Sequence, residues 1–461
     1  LLVSGFGGVI LRNLNKVMVE VGLRCWRWFS QGLSVMLAVS LLVALPLQAG
    51  EAGGDDPVAN QLRMDDAVVR ALQDNPDLAQ MQARYQALRE IPSQRGVLPD
   101  PVLSVNAMNL PTDTFHVGQE AMTQMQVGIS QSFPFPGKLA LREQISELAA
   151  DAAGYGFEET RIRLVRDVKR SWWQLFYLDR ALDIVQSNQA LLRNLVQVVR
   201  TKYEVADGRQ QDVLLAQLEL SKLIDQQLDL KALRRGQAIQ LNRLMAAPAD
   251  STLQLPLKIN ESLPELAPAE RLLQLAEDQR PLLQQLESRV GSARSQLDLA
   301  NKDYYPDFKL GLAYGERRGE APGGVSRPDL LSVMMSVNLP IHTGRRQSSA
   351  VKQRTHELSQ SRYQLEDELG RVRAEVLQAV TDYERARQQL TLFKGGIIPQ
   401  AEQTVASMRA GYQVDEVDFL NLVRSQITLF NYQLRYWQML TEANQALAQL
   451  VAAVGEENID E

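Results

Sequence analysis

Side chains able to do covalent or metal chemistry are few and dispersed in this chain of 461 residues. Three histidines, His116, His342 and His356, are too scattered for a zinc cluster, and the single cysteine, Cys25, excludes a cysteine-based metal site and a disulfide framework. Met108, Met122 and Met125 could offer thioethers to a soft ion such as copper(I). Methionines at strand spacing, however, are ordinary apolar filler. Carboxylates cluster at Asp65-Asp66 and Glu366-Asp367-Glu368, on charged helical runs where solvation accounts for them. Trp172, Trp173 and Trp437 fall on helices and read as packing residues. Neither a phosphate loop nor a Gly-x-Ser-x-Gly elbow occurs. An enzyme needs polar groups that converge, so no catalytic residue, no resident metal and no cofactor is expected. A net charge of -6 with no basic stripe argues against nucleic acid as a partner.

The first residues have a different role. Arg24, Trp26, Arg27 and Trp28 precede the apolar run LSVMLAVSLLVALPL, Leu33 to Leu47, which ends at Gln48-Ala49-Gly50. Cations, then an apolar segment short for a membrane helix, then small residues predict an export signal over 1–49, cleaved near Ala49 or Ala52. Met18 is a candidate start, with the residues ahead of it open to lying upstream of the protein. Cys25 leaves with the signal, so a lipid-anchored protein is not expected. A flexible charged linker, 50–60, follows. No later window holds about twenty consecutive apolar residues, so an exported protein without a transmembrane-helix anchor is expected.

The remainder is written twice. YEVADGRQQDVLLAQLEL, Tyr203 to Leu220, aligns without a gap to YQVDEVDFLNLVRSQITL, Tyr412 to Leu429, pairing Tyr203 with Tyr412, Asp212 with Asn421 and Gln217 with Gln426. LPDPVLSV, Leu98 to Val105, answers YYPDFKLGL, Tyr304 to Leu312. Phe133-Pro134 through Gly137-Lys138 answers Leu339-Pro340 through Gly344-Arg345, with one extra residue in the second turn. Three matches at nearly one offset mean a tandem duplication. The expected organisation is a first repeat over 61–255, with strands near 101–110 and 123–135 and a helical hairpin near 138–247. A second repeat covers 256–455, with strands near 307–317 and 330–341 and a hairpin near 345–453; 456–461 is a tail.

Each repeat contains a helix of unusual length. Val165, Val168, Trp172, Leu175, Leu178, Leu182, Val185, Leu192, Val196 and Val199 recur at threes and fours. Leu365, Leu369, Val372, Val376, Ala379, Tyr383, Ala386, Leu390, Phe393 and Ile397 do so without a slip. That period near 3.5 is a coiled-coil seam. A helix from Lys138 to about Thr201 spans about 95 Å at 1.5 Å per residue, far beyond what a compact domain needs.

The strands alternate strictly. Met125, Val127 and Ile129 oppose Gln124, Gln126, Gly128 and Ser130; Phe308, Leu310, Leu312 and Tyr314 oppose Lys309, Gly311, Ala313 and Gly315. Leu331, Val333, Met335, Val337 and Leu339 alternate with Ser332, Met334, Ser336 and Asn338, and Leu103, Val105 and Ala107 with Ser104 and Asn106. Such alternation suits an ordinary half-buried sheet, and it also suits strands of about nine to eleven residues that cross a bilayer at a tilt. Four strands cannot close a barrel, and an open edge cannot face lipid. Membrane-spanning strands would therefore have to be pooled by several copies, sharing a β-barrel in the outer membrane and extending a helical tube into the periplasm.

With these features the chain resembles the TolC family of outer-membrane efflux channels over about residues 60 to 455. The most specific pieces are the duplicated hairpin at Tyr203 and Tyr412, the Phe-Pro-Phe-Pro-Gly-Lys exit from the second strand, and Ile398-Pro399-Gln400-Ala401-Glu402. The wording of that exit resembles the CzcC-like and CusC-like branch that serves resistance-nodulation-division pumps for heavy-metal ions. The resemblance implies a mainly α protein with a β-barrel part: tandem coiled-coil hairpins forming an α-barrel, and four strands per subunit in a twelve-stranded trimeric barrel. It implies an exit duct in the outer membrane, a periplasmic adaptor and an inner-membrane pump as partners, and no catalysis. A multidrug or type I secretion duct of the same fold is the alternative. An adaptor should carry a Gly-rich lipoyl-like segment, and a structural coiled coil leaves the strands unexplained.

The resemblance also implies a tunnel mouth at the hairpin tips, narrowed by acidic rings and held by ion pairs. The candidates are Asp207, Arg209 and Asp212 in the first tip and Asp415, Glu416 and Asp418 in the second, where Asn421 and Arg424 stand at positions that family members often give to constricting aspartates. Tyr203 and Tyr412 anchor the hairpins. The barrel-to-tube junction falls on Pro134, Pro136, Gly137 and Lys138, and on Pro340, Gly344 and Arg345. There proline ends the ladder, the glycines free the backbone, and Lys138 and Arg345-Arg346 lie near the periplasmic membrane face.

Overall fold

The computed structural model describes residues 61–456; the expected signal, the 50–60 linker and nearly all of the 456–461 tail lie outside the described residues. Helices α1 (Met64–Asp74), α2 (Pro76–Arg89) and α3 (Ile91–Arg95) lead into strands β1 (Val102–Met108) and β2 (Gln124–Phe133), helix α4 (Lys138–Glu204) and return helix α5 (Gln210–Leu244). The second round runs α6 (Ala269–Gln279), α7 (Pro281–Lys302), β3 (Phe308–Glu316), a small hairpin of β4 (Glu320–Ala321) and β5 (Val325–Ser326), then β6 (Leu330–Val337). It continues through α8 (Arg346–Leu392), a π turn (Phe393–Ile397), α9 (Ile398–Gln413) and return helix α10 (Phe419–Val454). The protein is thus mainly helical with a small sheet. No helix among the described residues is long and apolar enough to cross a membrane.

Helix α4 is unbroken for 67 residues, about 100 Å. Its heptad positions build a string of separate cores. The largest gathers Trp172, Trp173, Leu175 and Phe176 of α4 with Leu241 of α5, Leu390 of α8 and Met439 and Leu440 of α10, covered by Ala67 and Ala71 of α1. Trp172 also donates its indole N–H to the Leu62 carbonyl at 3.0 Å. Further along, Leu178, Leu182 and Val185 meet Leu230 and Phe430. Next to the turns, Val199 and Ala216 meet Phe419 and Val423, with Tyr412 against them.

The second seam does not run through smoothly. Its apolar period predicts continuous α-helix past Phe393, but the chain forms a π turn at Phe393–Ile397. The reason lies just beyond: Pro399 has no N–H to return to the carbonyl four residues back and its ring crowds that carbonyl, while Gly395-Gly396 holds α-helix weakly. One extra residue per turn removes the conflict. The connector between repeats crosses this region and is tied to the second hairpin by Glu261 to Lys394 at 2.8 Å and Glu265 to Arg387 at 2.7 Å, while α6 and its exit add Glu277 to Arg373 at 2.7 Å and Arg280 to Glu375 at 2.8 Å.

The sheet is antiparallel in the order β1-β2-β3-β6, so β1 and β6 are its edges. Its register aligns the alternation across all four strands. Leu103 faces Ile129, Ile129 faces Leu312 and Leu312 faces Val333; Val105 faces Val127, Val127 faces Tyr314 and Tyr314 faces Leu331. These side chains form one continuous apolar face, and all of them are exposed. The other face is mostly small and polar, with Ser104, Gly128 and Ala313 in one row and Ser130 and Gly311 in another, where Met334 is the large apolar exception. At the far end the loops of the two repeats are tied by Arg327, which donates to the carbonyls of Gly118, Glu120 and Arg318 at 3.3, 2.9 and 3.2 Å.

Candidate functional site

The two tips share one backbone design. After Tyr203 and Tyr412 the chain reaches Ala206 and Asp415, both left-handed at φ 60°. Asp207 N–H then donates to the Lys202 carbonyl at 2.8 Å, as Glu416 N–H does to Gly411 at 2.9 Å. The repeat has diverged in its side chains. Asp415 tolerates the left-handed conformation better than Ala206 does, since a short polar side chain can bond locally. It also reaches the other hairpin: its carboxylate pairs with Lys202 of the first tip. Asp207 lies 3.6 Å from the same ammonium, which stands 5.1 Å over the Tyr412 ring. The bond to Asp415 holds the Lys202 pKa above its ordinary value. Burial raises the Tyr412 phenol, which packs on Phe419 at 5.7 Å, and Lys202 pulls it partly back.

Lys202 therefore links the hairpins, and sequence reasoning passed over it. It sits one residue before the start of the aligned repeat and has Gly411 as its counterpart, so duplication gave no second copy to flag it. The other candidates separate by role. Asp418 accepts the Asn421 backbone N–H at 2.8 Å and its side-chain amide at 3.2 Å, so it caps α10. Asp212 is half-buried on the first turn of α5 and acts on the Tyr412 phenol. Arg209, Glu416 and Arg424 are exposed, and their side chains make no hydrogen bond or ion pair among the described residues. Tyr203 is exposed and lies outside the tip core that Tyr412 joins. Just above the tips, Gln426 donates to Asn188 at 3.0 Å, a second tie between the hairpins.

At the junction, Pro134 and Pro136 follow the end of β2, and Gly137 takes φ 89° to start α4. Lys138 is 3% exposed; its ammonium lies 3.0 Å from Asp303 and 3.0 Å from Asp307 of the second repeat. Asp307 also accepts the Phe135 N–H at 2.8 Å, and the Phe135 ring stacks on Tyr305 at 4.5 Å. Lys138 thus bolts one repeat to the other inside the bend, because two carboxylates just beyond α7 lie within reach. The second bend differs as well. Pro340 precedes a run of turns, Gly344 does not take a positive φ, and Arg345 leads into α8 through its N–H to His342 at 3.1 Å. The extra residue spreads the bend over several positions, so no left-handed glycine is needed. Gly137→Ala is therefore expected to destabilise by about 1–2 kcal/mol from backbone strain alone, since a Cβ there meets only the Lys302 side chain at 3.7 Å. Gly344→Ala is expected to be neutral. Denaturant midpoints of the two variants in detergent check the contrast.

No three His, Cys, Asp or Glu side chains among the described residues come together as a metal site. What the geometry offers is a pair of charged hairpin tips joined by Lys202 and a doubled bend, attached to a sheet with an exposed apolar face. Comparison with known proteins fits this arrangement. Alkaline protease secretion protein AprF of Pseudomonas aeruginosa is 24% identical over 260 residues, covering 54% of this chain; the chain spans about half the length of that relative, 53%. The solved structure of the outer membrane protein VceC from Vibrio cholerae superposes with a TM-score of 0.71 at 17% identity, over 85% of this chain and 96% of that one. That of CusC superposes at 0.72 and 15% identity, over 90% and 97%. The outer membrane efflux protein family matches residues 67–247 and again 272–456, one match for each repeat, and the chain belongs to that family.

Proposed function

We infer that this protein is the outer-membrane exit duct of a tripartite efflux system: a passive homotrimeric channel that carries its cargo from a periplasmic adaptor and an inner-membrane pump to the exterior. The observation that carries the reading is the sheet. Four strands of 7 to 10 residues, in register, expose an apolar face and end in two unpaired edges, an arrangement unstable both in water and, uncompleted, in lipid. Three copies give twelve strands, enough to close a barrel around a polar lumen. The helical hairpins, about 100 Å long, then supply the periplasmic tube.

Heavy-metal cations are the proposed cargo and a resistance-nodulation-division pump the proposed partner, on the strength of the Phe-Pro-Phe-Pro-Gly-Lys exit. A protein-secretion duct is the second reading, favoured by the likeness to a protein named for alkaline protease secretion. In either case the acids at the tips set a negative potential at a narrow mouth, which attracts cations. Glu416 is the best single test of that role, because Asp415 is committed to Lys202 and Asp418 to the α10 cap. Glu416→Gln is expected to lower the cation-over-anion permeability ratio roughly twofold at low salt, with the difference lost near 1 M salt, where screening is about 3 Å. Reversal potentials of the purified protein in planar bilayers provide the measurement. An unchanged ratio removes Glu416 from the filter, and a soluble monomer that forms no pores sinks the channel reading.

A further inference from the structure

The repeats differ in one mechanical respect. Helix α4 descends to its tip without interruption, whereas the descending helix of the second repeat is broken by the π turn at Phe393–Ile397. Below that turn, the 16 residues of α9 span about 24 Å and end next to Asp415. A tilt of about 10° at the break displaces that tip by about 4 Å, while the rigid first hairpin stays in place. A π turn interrupts the regular hydrogen-bond ladder of a long helix, and such turns are frequent at functional sites.

The turn is also held from outside. Lys394, inside it, reaches the Glu261 carboxylate of the connector at 2.8 Å. The same oxygen of Glu261 accepts the Tyr436 hydroxyl of α10. Phe393, the first residue of the turn, packs its ring against Tyr432 of α10 at 5.9 Å. The connector is itself seated: Ile259 and Leu263 pack on the main core, and the Tyr383 hydroxyl donates to the Pro264 carbonyl at 2.6 Å. One carboxylate from the inter-repeat connector therefore joins the break in the descending helix to the return helix beside it.

Given the duct reading above, on which this rests, we propose that Glu261 is a positioning residue for the gate: by bridging Lys394 and Tyr436 it fixes the π turn and keeps the second hairpin in the pose that brings Asp415 to Lys202. The electrostatics agree with this geometry. Burial raises the Glu261 carboxyl, yet the bonds from Lys394 and Tyr436 more than offset it and hold it below the usual carboxylate range. Burial and then Glu261 itself push the Tyr436 phenol well above its ordinary value. Lys394 is largely exposed and binds weakly on its own; the bond to the buried Tyr436 carries more of the hold.

The test is single-channel recording of the full-length trimer in planar bilayers, with thermal midpoints measured in parallel. Glu261→Gln is expected to raise the open fraction about fivefold with little change in midpoint. The charge swap Glu261→Lys with Lys394→Glu is expected to return it toward wild type. Tyr436→Phe, which keeps the ring in the core and removes only the hydroxyl, is expected to raise it too, and it tests the clamp should Glu261→Gln fail to assemble. An open fraction unmoved in Glu261→Gln and Tyr436→Phe, while Lys202→Ala raises it, overturns the clamp and leaves the duct intact. A wild-type protein that forms no pores overturns the duct, and the clamp with it.

Discussion

Lys202→Ala is expected to leave the protein folded and trimeric but leaking, with bilayer recordings dominated by an open state that the wild type visits seldom. Lys202 joins the first tip to Asp415 of the second and has Asp207 beside it, so its loss removes the charge that holds the hairpins together and leaves two carboxylates to repel each other. An exposed ion pair is weak taken singly, but in the proposed trimer three copies act on one aperture. A factor of about three per subunit becomes about thirty for the assembly when the copies move together. Asp415→Asn is expected to act in the same direction, and Lys202→Asp with Asp415→Lys to restore closure, although Asp207 then meets a second acid and the restoration is partial. A wild-type open fraction in Lys202→Ala dismisses the pair as a latch. Raised salt gives an independent check, because an exposed pair weakens as the Debye length shortens.

The second large effect concerns the sheet. Leu312 is on an inner strand, exposed, with Ile129 on one side and Val333 on the other. If that face meets lipid, Leu312→Arg places a charge near the bilayer midplane at a cost of about 2–4 kcal/mol per copy, and the folded trimer in outer membranes is expected to fall close to nothing. Ser336→Glu makes the contrast. It lies on the opposite face, across from Lys309, where a carboxylate gains a cross-strand partner and, in the proposed barrel, faces the lumen. Its yield and urea midpoint are expected to match wild type. Equal tolerance of both substitutions means that the apolar face is covered by something other than lipid.

These expectations differ in how far they were legible in the sequence. Alternation at Leu103, Val127, Leu312 and Val333 marked the strands and their faces, because a period of two fixes which side chains share a side. Heptad spacing marked the hairpins for the same reason. The register joining Leu103 to Ile129 and on to Val333 was not legible, since nothing local specifies it. The π turn was masked by a run of apolar residues that keeps the seam's spacing through Phe393 and Ile397; Pro399 and Gly395-Gly396 were the visible warning. Lys202 and Glu261 were missed because each acts through partners more than a hundred residues away, and neither has a matching copy in the other repeat. Lys138 was noticed for its charge and its place in the bend, but its pairing was not legible, because the sequence does not tell that Asp303 and Asp307 fold back against it.

The break in only one of the two descending helices has a consequence for symmetry. A ring built from two identical hairpins per subunit would carry six equivalent vanes and dilate evenly, like a camera iris. With one hairpin of each pair continuous and the other hinged at its π turn, as proposed above, the ring of a trimer would alternate fixed and mobile vanes. The aperture of the proposed three-copy assembly would then open from a triangle, with the three continuous hairpins staying in place while the other three swing.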